Sequence, residues 1–201
     1  DIRLSWQLES DSGNIMQRAY RIVARGEEGE LLWDSGVVIS SRQQAAWPEE
    51  IPLRSRQRVL WRVEAEDSAG NTAVSEEAFF QTALLEQTDW RAKWIIHPEV
   101  HDAYGNTDQD RALPSYLFRK EFSVGKKIRR ASLYICGLGF FTARINGCPV
   151  SDEVLAPAFT RYDRRTLYAS YDITPLLQEQ NALAVSVGNG RYNGFSDGVW
   201  N

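Results

Sequence analysis

The run Gly188-Asn189-Gly190-Arg191-Tyr192-Asn193-Gly194 gathers the residue types in this chain that could hold a ligand. Glycines on both sides of Asn189 free the backbone to bring its carbonyls close to a bound group. Two asparagine side chains add amide oxygens, and Tyr192 adds a ring for stacking. A hard cation such as calcium wants six to eight oxygens at roughly 2.3–2.6 Å, so Asn189 and Asn193 are the candidate metal ligands. The same residues also suit a tight structural turn, and both readings stay open. A second oxygen-rich stretch, Asp102 to Asp110, sets Asn106, Asp108 and Asp110 at alternate positions, as the start of an EF-hand loop would. Arg111 stands where that loop needs glycine and Leu117 where it needs the closing glutamate, so a solvated acidic loop is expected. His97 and His101 are four apart with no cysteine or second pair beside them, which argues against zinc.

Adjacent carboxylates occur at Glu76-Glu77 and Asp152-Glu153. On strands the members of each pair would point to opposite faces, so solvated surface is the expected role and no catalytic residue is assigned. The formal net charge of −4 argues against a nucleic-acid partner, whose phosphates favour a basic face. No apolar run approaches the roughly 18 residues that cross a bilayer, so no membrane partner is expected. Cys136 and Cys148 flank a predicted hairpin; a disulfide is one reading and two buried free thiols the preferred one. The chain opens at Asp1 with neither methionine nor a basic-plus-apolar leader, and the compartment, cytoplasmic or secreted, stays open.

The elements that must position these residues are β-strands. Val59, Trp61, Val63 and Ala65 alternate with Arg58, Arg62, Glu64 and Glu66, the period-2 mark of a strand with one buried face. Tyr20, Ile22 and Ala24 alternate in the same way, and Leu31-Leu32-Trp33 precedes an Asp34-Ser35-Gly36 turn. Strands separated by turn signals at such spacing predict a β-sandwich over residues 1–83, with Trp6, Tyr20, Trp33 and Trp61 as core aromatics. Residues 84–95 read as a linker, in which Thr88 or Asp89 caps a turn and Trp90 and Trp94 plug the joint. From 96 to 201 a second β-sandwich is expected. Its strands are marked by Phe118 and Phe122, by Ala131, Leu133 and Ile135, by Leu167 to Ile173, and by Leu183, Val185 and Val187. Asn146-Gly147 is the strongest hairpin signal, since a type I′ turn needs positive φ at both central positions. Thr174-Pro175 reads as N-cap and N1 of a single helical turn ending at Leu177. The fold class is therefore all-β with almost no helix. The polar tail after Val187 leaves the second sandwich without an obvious closing strand, so an incomplete C-terminal edge is expected.

The order of motifs from Tyr134 to Gly194 resembles the N-terminal, non-catalytic β-domain of bacterial α-L-rhamnosidases, glycoside hydrolase family 78. Phe140-Phe141, Asn146-Gly147, Leu155-Ala156-Pro157, Tyr171-Asp172-Ile173-Thr174, Asn181 to Val185 and Gly188-Asn189-Gly190 with Tyr192 carry that likeness. Leu4-Ser5-Trp6, Ala19 to Ile22, Leu32 to Gly36, Trp61-Arg62-Val63 and Trp90 with Trp94 are similar to the family's fibronectin-III-like N-terminal module. The resemblance implies a fibronectin-III/Ig-like sandwich followed by a jelly-roll-like one. It also implies a parent enzyme that removes terminal α-L-rhamnose from glycosides with inversion, through a helical barrel absent from this chain. An inverting pair of carboxylates sits about 6.5–9.5 Å apart around a water, and nothing in the sequence supplies that arrangement.

By the same resemblance the partners are a rhamnose-containing glycoside and the catalytic domain of the parent chain. Some domains of the second type bind rhamnose with calcium, which implies carbohydrate contacts at Asn189, Tyr192 and Asn193 and calcium at Asn189 and Asn193. The family counterpart of Arg191 is usually Trp, so this chain lacks that aromatic platform. Phe140, Phe141 and Tyr162 could add a stacking face, although core packing is their default role. Two further readings stand beside the accessory one: a lectin-like calcium-dependent rhamnose-binding module, and a fibronectin-III adhesion or assembly module.

Overall fold

The computed structural model describes residues 2–11, 13–96, 115–188 and 190. The chain divides into two units, Asp1–Ala92 and Lys93–Asn201, and among the described residues regular structure is strand apart from two 3-10 turns.

The first unit contains β1 (Arg3–Ser5), β2 (Gln17–Gly26), β3 (Leu31–Asp34), β4 (Val38–Ile39), β5 (Gln44–Ala46), β6 (Arg58–Asp67), β7 (Thr72–Val74) and β8 (Ala78–Gln81). Its main sheet runs β3-β2-β6-β7, with β4 also on β2 and β8 also on β6, while β1 and β5 form a second, two-stranded sheet. The long strands β2 and β6 pair antiparallel with Ile22 opposite Val63 and Ala24 opposite Trp61. Their alternation sends Ile22, Ala24, Val59 and Val63 inward, where each is buried. Arg18–Glu66 at 2.8 Å and Arg21–Asp34 at 2.5 Å lie on solvated parts of the same sheet, where such pairs contribute little.

The expected aromatics Trp6, Tyr20, Trp33 and Trp61 pack against this core. The buried ring at its centre, however, is Trp47. It meets Trp33 and Phe80 edge-on at 5.5 and 5.6 Å and donates its indole N–H to Ile51 O at 2.8 Å. Trp47 stands just before Pro48 outside any alternating run, so no period marks it. Gln17 is buried as well, at 4% exposure. It accepts from the Trp6 indole at 2.7 Å and donates to the Ser40 and Arg42 carbonyls, each at 2.8 Å, so every polar end has a partner.

The connector makes a 3-10 turn, Gln87–Asp89, entered from Glu86. Asp89 closes it: its carboxylate accepts from the Glu86 backbone N–H at 3.1 Å and from the Ser55 hydroxyl. Ser55 Oγ in turn accepts from Leu85 N at 2.7 Å. The turn is thereby tied to the 54–57 segment of the first unit. Trp94 is 65% exposed, and Ile95 and Ile96 beside it are exposed too.

The second unit contains β9 (Tyr116–Ser123), β10 (Ser132–Ile135), β11 (Phe141–Ile145), β12 (Cys148–Pro149), β13 (Ala169–Asp172) and β14 (Gln180–Val187). One antiparallel sheet runs β12-β11-β14-β9 and a second pairs β10 with β13. β14 is thus an interior strand; among the described residues the edges of its sheet are β9 and β12. The Asn146-Gly147 turn has φ of 52° and 84°, as the hairpin reading required. The second 3-10 turn covers Thr174–Leu176, one residue earlier than expected, with Ile173 at the N-cap. Thr174 does not cap it. Its hydroxyl accepts from Ala131 N at 2.8 Å, and Asp172 accepts from Thr174 N at 2.9 Å. Both cysteines are free, but Cys148 is exposed rather than buried, because β12 is a two-residue edge strand.

Candidate functional site

Within the second unit the chain leaving β12 folds back over β13 and encloses an open groove of about 630 Å³ between Ser151–Ala158 and Leu167–Tyr171. Local chemistry holds the wall in place. Val150 N donates to Ala143 O at 3.1 Å and Phe141 N donates to Ala156 O at 2.8 Å, so the loop is tied to β11 at both ends. Between those ties Ser151 Oγ accepts from Glu153 N at 3.0 Å. The Tyr171 hydroxyl then crosses from β13 to donate to Glu153 Oε2 at 2.9 Å.

The groove is amphiphilic. Val154 and Leu155 stand on its rim at 84% and 68% exposure, and Pro157 is buried below them. Leu155 holds φ at 59°, a left-handed conformation that a branched apolar residue adopts only when its surroundings impose it. Tyr168 is steadied by Tyr134, ring centroids 6.1 Å apart. Burial, followed by the bond to Glu153, pushes the Tyr171 phenol up to about 12, so at neutral pH it is a donor that keeps its proton. An ionised carboxylate has more acceptor sites than the one Tyr171 occupies, which leaves Glu153 able to receive further donors.

Of the run singled out from the sequence, Gly188 and Gly190 lie among the described residues. Gly188 N donates to Phe140 O at 2.8 Å, one residue before the Phe141 N that holds Ala156. Gly190 sits at φ 53° with its α-carbon pressed on the backbone of Gly139; a β-carbon there would lie 2.8 Å from Gly139 Cα. Phe140-Phe141 therefore anchors the glycine turn on one side and the groove wall on the other. Phe141 itself is 5% exposed and lies opposite Val187, so it is core and not a stacking face. Tyr162 meets Phe159 edge-on at 5.7 Å.

Asn189, Tyr192 and Asn193 lie outside the described residues, as do Arg191, His97, His101, Asn106, Asp108 and Asp110. Leu117 is on β9 and exposed. Among the described residues no three His, Cys, Asp or Glu side chains converge to hold a metal. Both adjacent carboxylate pairs sit off the strands expected to carry them. Asp152 and Glu153 are both exposed, as expected of a solvated pair, and they also line the groove. No local pattern marks Glu153, whose partner Tyr171 lies 18 positions away.

Two family descriptions match the chain in succession: the Rha78A-like N-terminal immunoglobulin domain over residues 1–86 and the alpha-L-rhamnosidase N-terminal domain over residues 126–199. An alpha-L-rhamnosidase of Formosa agariphila is 38% identical across 94% of this chain, which spans 21% of that protein. One from Alteromonas sp. strain LOR is 33% identical across 96%, and the chain spans 22% of it. The solved alpha-L-rhamnosidase of Dictyoglumus thermophilum superposes with a TM-score of 0.80 at 32% identity over 94% of this chain and 23% of that one. That of Aspergillus terreus does so at 0.78 and 30% identity over 98% of this chain and 23% of that one.

Proposed function

We propose, for a chain that belongs to the α-L-rhamnosidase family through the two β-domains at that family's N-terminal end, a non-catalytic role within a longer enzyme that removes terminal α-L-rhamnose from glycosides. One observation carries this reading: both N-terminal family descriptions match in the family's own order, while relatives matched along nearly the whole chain are four to five times longer, as the 21–23% coverage implies. The catalytic portion of the parent protein is the natural intramolecular partner, and a rhamnose-containing glycoside the substrate. The chain's contribution is to brace that portion and to position substrate. Inversion at the anomeric carbon belongs to this proposal too, since it needs paired carboxylates about 6.5–9.5 Å apart in the catalytic portion.

Sugar recognition at Asn189, Tyr192 and Asn193, with calcium on Asn189 and Asn193, is a finer part of the proposal. What supports it is the close packing of the flanking Gly188 and Gly190 on Gly139-Phe140. Asn189 and Asn193 offer amide and carbonyl oxygens, and an ion held by these alone would bind weakly. Calcium added to the chain should then raise its melting temperature by mass action; an unchanged melt removes calcium from the proposal.

The main test is turnover of an aryl α-L-rhamnoside. A longer protein carrying this region should release L-rhamnose, and the 201-residue chain should not. Turnover by the chain itself, lost on substituting one of its own carboxylates, would overturn the non-catalytic assignment.

A further inference from the structure

We infer that the outer face of the first unit's main sheet, around Arg25, Leu60, Arg62 and Phe79, is a docking surface for an acidic segment of a partner protein that also carries apolar side chains. The face lies wholly in the first unit and owes nothing to the rhamnoside reading.

The strand register builds this face. Ile22, Ala24, Val59 and Val63 point into the core, so Val23, Arg25, Leu60 and Arg62 between them point to the other side. Val23 stands opposite Arg62 and Arg25 opposite Leu60, a checkerboard of two cations and two apolar residues. On β3, Leu31 is opposite Arg25, and on β8, Phe79 is opposite Leu60. Leu31, Arg25, Leu60 and Phe79 thus form one row across β3, β2, β6 and β8, with Leu31 56% and Phe79 58% exposed. Single exposed apolar residues are ordinary, but a row continued over neighbouring strands marks a contact surface. Val23, Leu60, the two arginines and Glu77 surround a depression of about 140 Å³, room for a side chain of a partner.

Charge on the face is sorted. At one end Arg21 is engaged: it donates to Asp34 through Nε at 2.8 Å and Nη2 at 2.5 Å, and lies 3.7 Å from Glu64. Arg62 reaches Glu64 only at 3.7 Å. At the other end Arg25 donates to Gly29 O at 3.1 Å, and Arg58 lies over the Phe79 ring with Cζ 3.8 Å from its centroid. Among the described residues neither Arg25 nor Arg58 forms an ion pair with a carboxylate. A guanidinium carries five N–H donors, so Arg25 and Arg62 keep most of theirs for a ligand, at diagonal corners of the depression. A carboxylate entering between them meets two planar forks, the geometry that suits arginine–carboxylate pairing. An apolar side chain beside that carboxylate meets Leu60 and the Phe79 ring. Nucleic acid is the poorer fit, because Asp34, Glu64 and Glu77 share the face and phosphates favour an unbroken basic surface.

The experiment is a two-dimensional NMR titration of the isotopically labelled 201-residue chain with the peptide acetyl-Glu-Leu-Glu-Leu-Glu-amide at low salt. Saturable shifts should appear at residues 23–25, 58–62 and 77–79, with a Kd in the millimolar range. Arg25→Gln and Arg62→Gln should each weaken binding about three- to fivefold, the scale of an exposed ion pair. Glu77→Gln should strengthen it, because a carboxylate that repels the peptide is gone. Phe79→Ala should weaken it by removing the apolar contact. The amide signals of Ile22 and Val63 report in each variant that the sheet is intact. The same peptide with glutamine in place of glutamate should not bind. Sodium succinate at equal concentration should shift these residues far less. The assignment is overturned by no saturable shift up to about 10 mM peptide, which would fill most of a site with millimolar affinity. Shifts confined to other residues, equal binding of the glutamine peptide, or unchanged affinity in the arginine variants overturn it too. Succinate binding as tightly as the peptide also overturns it, since the face would then hold small anions and not a protein segment.

Discussion

The carboxamide of Asn146 donates to that of Asn181 across 3.0 Å, and this pair joins the β11–β12 hairpin to the start of β14. Asn146 Nδ2 also donates to Leu176 O at 3.0 Å and its oxygen accepts from Ala182 N at 2.9 Å. Asn181, 4% exposed, accepts from Gln178 N at 2.8 Å and donates to Gln178 O at 2.6 Å. A residue chosen for a positive-φ turn thus also fastens the 3-10 segment to the sheet.

Breaking that pair should cost stability from either side. Asn146→Gly keeps the turn conformation and removes the amide, and Asn181→Ala removes the acceptor of the Asn146 amide and Gln178 N together with the donor to Gln178 O. Each should lower unfolding free energy by about 1–3 kcal/mol. The double variant should lose less than the sum, since the two share a bond. Denaturant melts of the four proteins measure this, and strict additivity would show the pair to be uncoupled.

Gly190 should tolerate no side chain. A β-carbon would sit 2.8 Å from Gly139 Cα and 3.1 Å from Phe140 N, at a φ of 53°, and those neighbours are backbone that cannot swing away. Gly190→Ala should destabilise the chain by about 1–3 kcal/mol and disturb the NMR signals of Gly139 and Phe140. Gly147→Ala, whose added carbon meets nothing within 4 Å, should show only the cost of its positive φ.

Acid should loosen the connector. The Ser55 hydroxyl, then the Glu86 N–H, hold the Asp89 carboxylate below its ordinary value of 3.8. A carboxylate lowered on folding contributes stability that is present above the unfolded value and lost as pH falls through the folded one. Melting temperature should therefore fall more steeply below about pH 4 in the native chain than in Asp89→Asn. Parallel curves for the two would remove Asp89 as a source of acid sensitivity.

Alkali should ionise Tyr171 late. Its phenol is raised from 10.0 to about 12, first by burial and then by Glu153. The contribution to stability is whole below the unfolded value and disappears as pH rises through the folded one. Tyrosinate absorbance should show a late ionisation that vanishes in Tyr171→Phe. Glu153→Gln should bring it only part of the way back, because burial is the larger cause. Complete reversion would assign the shift to the carboxylate instead.

Residue order alone was enough to dictate the strand content, the Asn146-Gly147 hairpin and the buried stripes Ile22–Ala24 and Val59–Val63. Period-2 alternation and positive-φ turn chemistry act over a few residues and leave a direct trace along the chain. The family order of motifs was legible as a resemblance, and the successive family matches agree with it. Folding in three dimensions was needed to make Trp47 the central ring, Gln17 and Asn181 buried polar hubs, and β14 an interior strand. It also brought Glu153 under Tyr171, a partner 18 positions away. Such pairings depend on how distant strands and loops meet in space, and no local period records that meeting. The exposed Cys148 and the one-residue shift of the Thr174–Leu176 turn follow the same rule. Each was decided by what the fold left uncovered, or by which neighbour took a hydrogen bond first.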